Sequence, residues 1–289
     1  MRQLRLGTRG SALARAQSGH VADAVAALTG APVELVIIRT RGDEVTDRPL
    51  GQVGGKGLFT KEIEDAMLRG EVDLAVHSLK DLPTETPAGL VLGAHPRRAD
   101  PRDVLVGAAL ADLPPGAKVG TGSGRRRAQL LAARPDLQIE GIRGNVDTRV
   151  GKQQRGEFDA ILLAAAGLLR LGKETWITDA LPVELMVPAV GQGALAVQCR
   201  EDDADVLAVL ARLDDPATRA AVEVERAWLA GIGGGCSVPT ACHAWQEDGA
   251  VHVAAFHAWE DGRTWRRTWR CGEDPVGEVR AAARALAES

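Results

Sequence analysis

Arg125-Arg126-Arg127 follows the run Gly120-Thr121-Gly122-Ser123-Gly124, a pattern that predicts a helix starting near Ser123 with three guanidinium groups in its first turn. Unpaired N–H groups and the positive end of the helix dipole already gather there, so cations are unfavourable unless an anion joins them. Arg143-Gly144-Asn145-Val146-Asp147-Thr148-Arg149 repeats the theme, with Asn145 at the N-cap position and Arg143 and Arg149 flanking the start. Two such starts in one stretch predict a bound polyanionic small ligand. The guanidinium fork fits carboxylate and phosphate equally, and a solvated basic turn is the plainer reading of either segment alone.

Asp81, in His77-Ser78-Leu79-Lys80-Asp81-Leu82-Pro83, falls at the end of an expected parallel strand, where a carboxylate can face a ligand. A turn-forming Asp before Leu82-Pro83 is the competing reading, and sequence physics leaves both open. Cys236 lies among glycines in Gly231-Ile232-Gly233-Gly234-Gly235-Cys236-Ser237-Val238-Pro239, an accessible setting for a thiol, although a single Cys is more commonly buried and inert. Gly51-Gln52-Val53-Gly54-Gly55-Lys56-Gly57 invites a phosphate-loop reading but fails it. The spacing is one residue short, and Gly57 stands where a magnesium-binding hydroxyl belongs. Cys236, Cys242 and His243 match no zinc spacing, so no metal is expected. Trp265-Arg266-Arg267-Thr268-Trp269-Arg270 alternates with period two, which suits an amphipathic strand covering a helix better than a single-strand nucleic-acid platform.

The elements that must hold these groups read as α/β. Residues 4–8 form a strand, Ser11 caps a helix that Gly30 ends, and residues 33–38 form a second strand. A helix over residues 60–69, closed by Gly70, and an apolar strand over residues 72–77 imply a parallel sheet covered on both faces. Strands at residues 103–106, 118–120 and 158–164 begin a second such unit. Linkers fall at residues 96–101 and near Val187-Pro188. Beyond Pro216 come a helix, a glycine run, Trp-rich strands and a last helix capped by Asp274, a small α+β domain.

A chain of 289 residues with 45% hydrophobic content supports two or three cores. Its net charge of -4 argues against nucleic acid as a partner. The longest apolar run, residues 160–169, is too short to cross a membrane, and the amino terminus lacks the apolar stretch of a secretory signal, so a cytoplasmic protein with reduced thiols is expected.

Thr8-Arg9-Gly10-Ser11, Gly54-Gly55-Lys56-Gly57-Leu58-Phe59, His77 to Pro83, Asp100-Pro101-Arg102-Asp103, Arg143-Gly144-Asn145-Val146, Pro188-Ala189-Val190-Gly191-Gln192-Gly193 and Gly234-Gly235-Cys236-Ser237-Val238-Pro239 closely resemble, in content and order, the hydroxymethylbilane synthase (porphobilinogen deaminase) family. The resemblance spans nearly the whole chain. It implies two lobes of the periplasmic-binding type with mixed, mainly parallel sheets (residues 1–96 with 194–211, and 102–187) and a small α+β domain at residues 216–289. It also implies a monomer that joins four porphobilinogen molecules head to tail, releases four ammonia molecules and hydrolyses off 1-hydroxymethylbilane. A dipyrromethane cofactor would stay bound as a thioether to Cys236. Asp81 would be the catalytic carboxylate. Lys80, Asp81, Ser123, Arg125, Arg126, Arg143 and Gly144 would hold the cofactor, and Arg9, Ser11, Lys56, Phe59, Arg149, Arg170 and Gln192 the substrate.

Gly122 and Gly124 depart from the family's usual Thr-Ser-Ser-Leu run, which removes one hydroxyl near the helix entry. The competing class is a non-enzymatic two-lobed binding protein for a small dicarboxylate, against which Cys236 and the missing signal stretch count.

Overall fold

Ser11 starts the first helix as expected: its Oγ accepts from the Ala14 N–H, and Gly30 ends the helix in the left-handed region at φ 72°. The computed structural model describes residues 2–40, 42, 58, 60–233 and 238–288. Lys56, Phe59 and Cys236 lie outside the described residues, as does the glycine-rich run at residues 51–57.

The chain divides into two compact units. The first comprises residues 1–98 and 194–219. Its strands are β1 (Leu4–Thr8), β2 (Val33–Ile37), β3 (Leu74–Ser78), β4 (Leu90–Ala94) and β10 (Leu195–Arg200) in the order β2-β1-β3-β10-β4. Helices α1 (Ala12–Thr29), α2 (Lys61–Leu68) and α6 (Ala204–Leu213) cover it. Side chains alternate across the sheet: Leu74 and Val76 pack with α1 and α6 residues such as Val21, Val25 and Leu210, while Ala75 packs with Ile63 and Met67 of α2. The sheet is mixed, as the family resemblance implies, because β10, arriving from far along the chain, pairs antiparallel with both β3 and β4.

The second unit comprises residues 99–193 and 220–289. Strands β5 (Asp103–Val106), β6 (Lys118–Gly120), β7 (Gln138–Glu140), β8 (Ala160–Ala164) and β9 (Asp179–Ala180) take the order β7-β6-β8-β5-β9. This repeats the first unit's arrangement, with β5 as the antiparallel member. Helices α3 (Gly124–Ala133), α4 (Val146–Gln154) and α5 (Ala165–Arg170) follow β6, β7 and β8.

The same unit holds an antiparallel sheet of β11 (Thr240–Glu247), β12 (Ala250–Ala258) and β13 (Thr264–Arg270). One face, with Cys242, Val253 and Ala255, packs against Trp228 of α7 (Pro216–Ile232) and Val279 and Ala283 of α8 (Pro275–Ala287). The other, with Ala254 and Phe256, meets Ala128 of α3 and Val187. Asp274 caps α8 through the Gly277 N–H. The Trp-Arg strand behaves as its period suggests: Trp265 stacks on buried Trp228, while Arg266 donates to Gln129, Leu185 and Glu184 on the opposite side. No described helix is long and apolar enough to cross a membrane.

Candidate active site

In the first unit, β1 and β3 are adjacent and parallel, so the residues following each emerge at one edge of the sheet. Arg9 and Ser11 follow β1. Lys80 and Asp81 follow β3 in the short 3₁₀ turn Leu79–Asp81. Gln17 of α1 donates from Nε2 to Ser78 Oγ at 2.8 Å, tying the two segments together. The turn is closed by its own backbone, Leu82 N–H to Leu79 O. Asp81 is exposed, and among the described residues no hydrogen bond or ion pair engages its carboxylate. A turn-forming Asp would accept a neighbouring backbone N–H, so the turn reading has no geometry behind it.

Beneath this edge runs a buried polar chain that sequence reasoning missed. His77 Nε2 meets Gln198 Oε1 at 3.1 Å, and Gln198 Nε2 donates to Glu64 Oε1 at 3.2 Å. Because the Gln198 amide nitrogen is taken by Glu64, its oxygen must accept, so His77 carries its proton on Nε2. Burial pushes the His77 imidazole down to about 4, against the opposing Gln198 bond, with the positive Arg9 adding to the burial effect. His77 is therefore neutral near pH 7.

The second unit gathers the arginines. Ser123 caps α3, its Oγ accepting from the Arg126 N–H. Arg125 and Arg126 turn inward, 5% and 7% exposed, onto Asp103, the first residue of β5. Arg125 Nη1 reaches Asp103 Oδ2 at 2.6 Å, Arg126 Nη2 reaches Oδ1 at 2.7 Å, and Gln192 Nε2 reaches Oδ1 at 2.9 Å. Burial alone would raise the Asp103 pKa, but the two guanidiniums outweigh it and hold the carboxylate well below its ordinary range.

The anion that the helix start demanded is thus supplied first by the chain itself. The expectation was a bound polyanionic ligand, and Asp103 is a partner it did not include. Gln192, expected on the substrate, is buried with its amide nitrogen on Asp103 and Pro101 O. The available signal was a carboxylate opening the apolar strand Asp103-Val104-Leu105-Val106, a position that asks for a buried cation.

Among the described residues, positive charge still exceeds negative at this edge. Arg149, half-buried in α4, has its pKa lowered by burial and then by the fields of Arg126 and Arg143. Its Nε donates to Gly144 O at 2.7 Å. Gly144 has φ 112°, and a Cβ there would meet Thr148 Cγ2 at 2.8 Å, so this hold on Arg149 requires glycine. Asn145 takes the N-cap position without a side-chain capping bond. Arg170, pushed down to about 10 by burial, donates to Gly193 O at 2.6 Å. Guanidinium groups in excess of carboxylate suit a ligand bearing several carboxylates.

Residues 4–208 match the family model described as porphobilinogen deaminase, dipyromethane cofactor binding domain. The chain is 51% identical to the porphobilinogen deaminase of Geobacillus kaustophilus, over 100% of this chain and 95% of that protein. It is 58% identical to porphobilinogen deaminase 1 of Streptomyces coelicolor, over 82% of this chain and 76% of that one. Among solved structures it aligns with the methionine binding protein MetQ at TM-score 0.44 and 11% identity, covering 73% of this chain and 89% of that one. With a family model spanning most of its length and relatives at half identity over all of it, the chain belongs to the porphobilinogen deaminase family.

Proposed function

We propose that Asp81 is the catalytic carboxylate of this enzyme, a transferase that condenses four porphobilinogen molecules head to tail with release of four ammonia molecules, then releases 1-hydroxymethylbilane by hydrolysis. The observation that carries the assignment is an exposed Asp81 carboxylate, unengaged among the described residues, at the carboxyl end of β3. Loss of ammonia from porphobilinogen leaves positive charge on the pyrrole, and a fixed carboxylate stabilises that charge as it develops. The same oxygens accept pyrrole N–H groups and orient the ring for attack. Neutral His77 beside β3's end adds no competing cation.

The family's dipyrromethane, when bound, supplies the free α-carbon to which the first substrate is joined. The guanidinium excess fits its acetate and propionate groups. Arg143, Ser123, Gly144, Lys80 and the donors that Arg125 and Arg126 do not commit to Asp103, Val187 O and Leu162 O would hold that cofactor. Arg9, Ser11, Lys56, Phe59, Arg149 and Arg170 serve the incoming substrate, while Gln192 acts through Asp103. Cys236 carries the thioether. Cys199 and Cys271 are pushed up to about 11 by burial, which makes them poor nucleophiles. Residues 216–289 form a third domain, a reading supported by the core around Trp228, to which they contribute every buried residue except Val190. The enzyme works as a cytoplasmic monomer.

Intact mass of the purified protein tests the cofactor assignment. It should exceed the chain mass by two linked pyrroles in the wild type, and Cys236→Ser should lose that increment. Retention of it in the variant, or its location on another cysteine, would overturn the role of Cys236.

A further inference from the structure

Glu225 of α7 is fully buried, and nothing in the chemistry above uses it. Its Oε2 accepts the Gly191 N–H at 2.7 Å. Its Oε1 accepts the Ala244 N–H at 2.9 Å and faces His243 Nδ1 at 3.1 Å. Each carboxylate oxygen therefore takes a backbone N–H from a different segment. An amide could satisfy only one of the two, since its nitrogen would point a donor at a donor.

Gly191 begins a run of three residues, each fastened differently. Gly191 is held by Glu225. Gln192 reaches Asp103 Oδ1 and Pro101 O. Gly193, at φ 85°, presents its carbonyl to Arg170 and to the Ala99 N–H, and a Cβ there would come within 2.5 Å of Ala99 O. The run thus connects α7 to the carboxylate that sets Arg125 and Arg126, and to Arg170.

The geometry points to Glu225 as a positioning residue for the carboxylate-binding arginines, acting through Gly191 and Gln192 on Asp103. Gln192, whose own N–H is held by Ala189 O, brings Asp103's third donor from a backbone that Glu225 fixes at the preceding residue. Loosening Gly191 shifts Gln192, and Asp103 then shares its oxygens differently between the two guanidiniums. The donors left over for a ligand move with them. The inference rests on the assignment of these arginines to ligand carboxylates.

Steady-state kinetics on folded, cofactor-loaded protein test it. Glu225→Gln should raise KM for porphobilinogen about tenfold, the usual consequence of leaving a buried donor unmatched beside a binding group, with a smaller change in kcat. A residue that only supported the fold would lower the melting temperature and leave the KM of the folded fraction unchanged. Gln192→Leu should raise KM comparably, and the double variant should raise it no further than the larger single effect. Multiplied effects in the double variant, or an unchanged KM in loaded Glu225→Gln, would overturn the inference. Should Glu225→Gln fail to fold, Glu225→Asp keeps both acceptor oxygens on a shorter stem and is read by the same KM criterion. A wild type lacking the dipyrromethane mass or ammonia release would instead refute the functional assignment itself. If Arg125→Lys and Arg126→Lys both leave KM unchanged, the arginine assignment alone fails.

Discussion

The two five-stranded sheets share one strand order yet treat their aspartates in opposite ways. In each, the antiparallel strand begins at the edge where its parallel neighbour ends: Leu195 of β10 pairs with Ser78 of β3, and Asp103 of β5 pairs with Ala164 of β8. In the first unit that starting position is apolar, and the nearby Asp81 keeps an exposed carboxylate. In the second the starting position is itself the carboxylate, fully buried and clamped by two arginines and a glutamine. One group in two settings gives two capacities: an exposed charge can meet a developing cation, and a buried, saturated one can only set the geometry of its partners.

Breaking the clamp should have the largest effect. Asp103→Asn leaves Arg125 and Arg126 buried without their anion and should cost about 3–5 kcal/mol of stability in denaturant titration. A loss under 1 kcal/mol would mean that the arginines find water or another anion. Because the folded pKa of Asp103 is depressed, its stabilisation is present above the unfolded value near 4 and is lost only as pH falls through the lower folded value. Melting curves of wild type and variant should therefore converge only in strong acid.

Asp81→Asn tests the other side. It should lower turnover on the order of a hundredfold or more while leaving stability within about 0.5 kcal/mol. Asp81→Glu should retain more activity than Asp81→Asn, since it keeps the charge and misplaces it. Near-normal ammonia release by the loaded Asn variant would remove Asp81 from the catalytic role.

Arg149→Ala removes a cation that no carboxylate among the described residues clamps, so it should act on binding more than on stability. We expect accumulation of covalent intermediates in the mass spectrum and about a tenfold loss in kcat/KM, the usual scale for a charge-assisted contact. Wild-type kinetics would remove Arg149 from the substrate's partners.

The smallest effect sharpens the electrostatic contrast in the first unit. Burial holds His77 at about 4 in the folded chain against roughly 6.5 unfolded, so the unfolded state binds more protons between those values. Stability contributed by neutral His77 is full above about 6.5 and lost as pH falls through about 4. His77→Gln should flatten that part of the stability curve. An unchanged slope would assign it to other groups.

Much of this was legible locally. The bounds of β1, β5 and β6, the Ser11 cap and the Gly30 stop follow from alternation, capping oxygen and left-handed glycine, all properties of a few consecutive residues. The arginine-bearing helix starts and the Trp-Arg strand were read the same way. Asp81 was read at a strand end, and β3 does stop at Ser78 just before it, but the backbone bond from Leu82 to Leu79 that closes the turn could not be read locally.

What the sequence by itself determined, then, was the elements with a strong local signal, such as β1, α1, β5 and β6, because those depend on neighbours within a turn or a strand; β4, β7, β9, β10 and α6 carried no such signal. Only the tertiary structure decided that β10 returns between β3 and β4, and that β5 runs antiparallel. That direction is what carries Asp103 to the edge where α3 begins. No periodicity encodes it: strand direction is set by which faces can be buried together across far separated parts of the chain, and Asp103, Gln192 and Glu225 become partners only after that burial has been arranged.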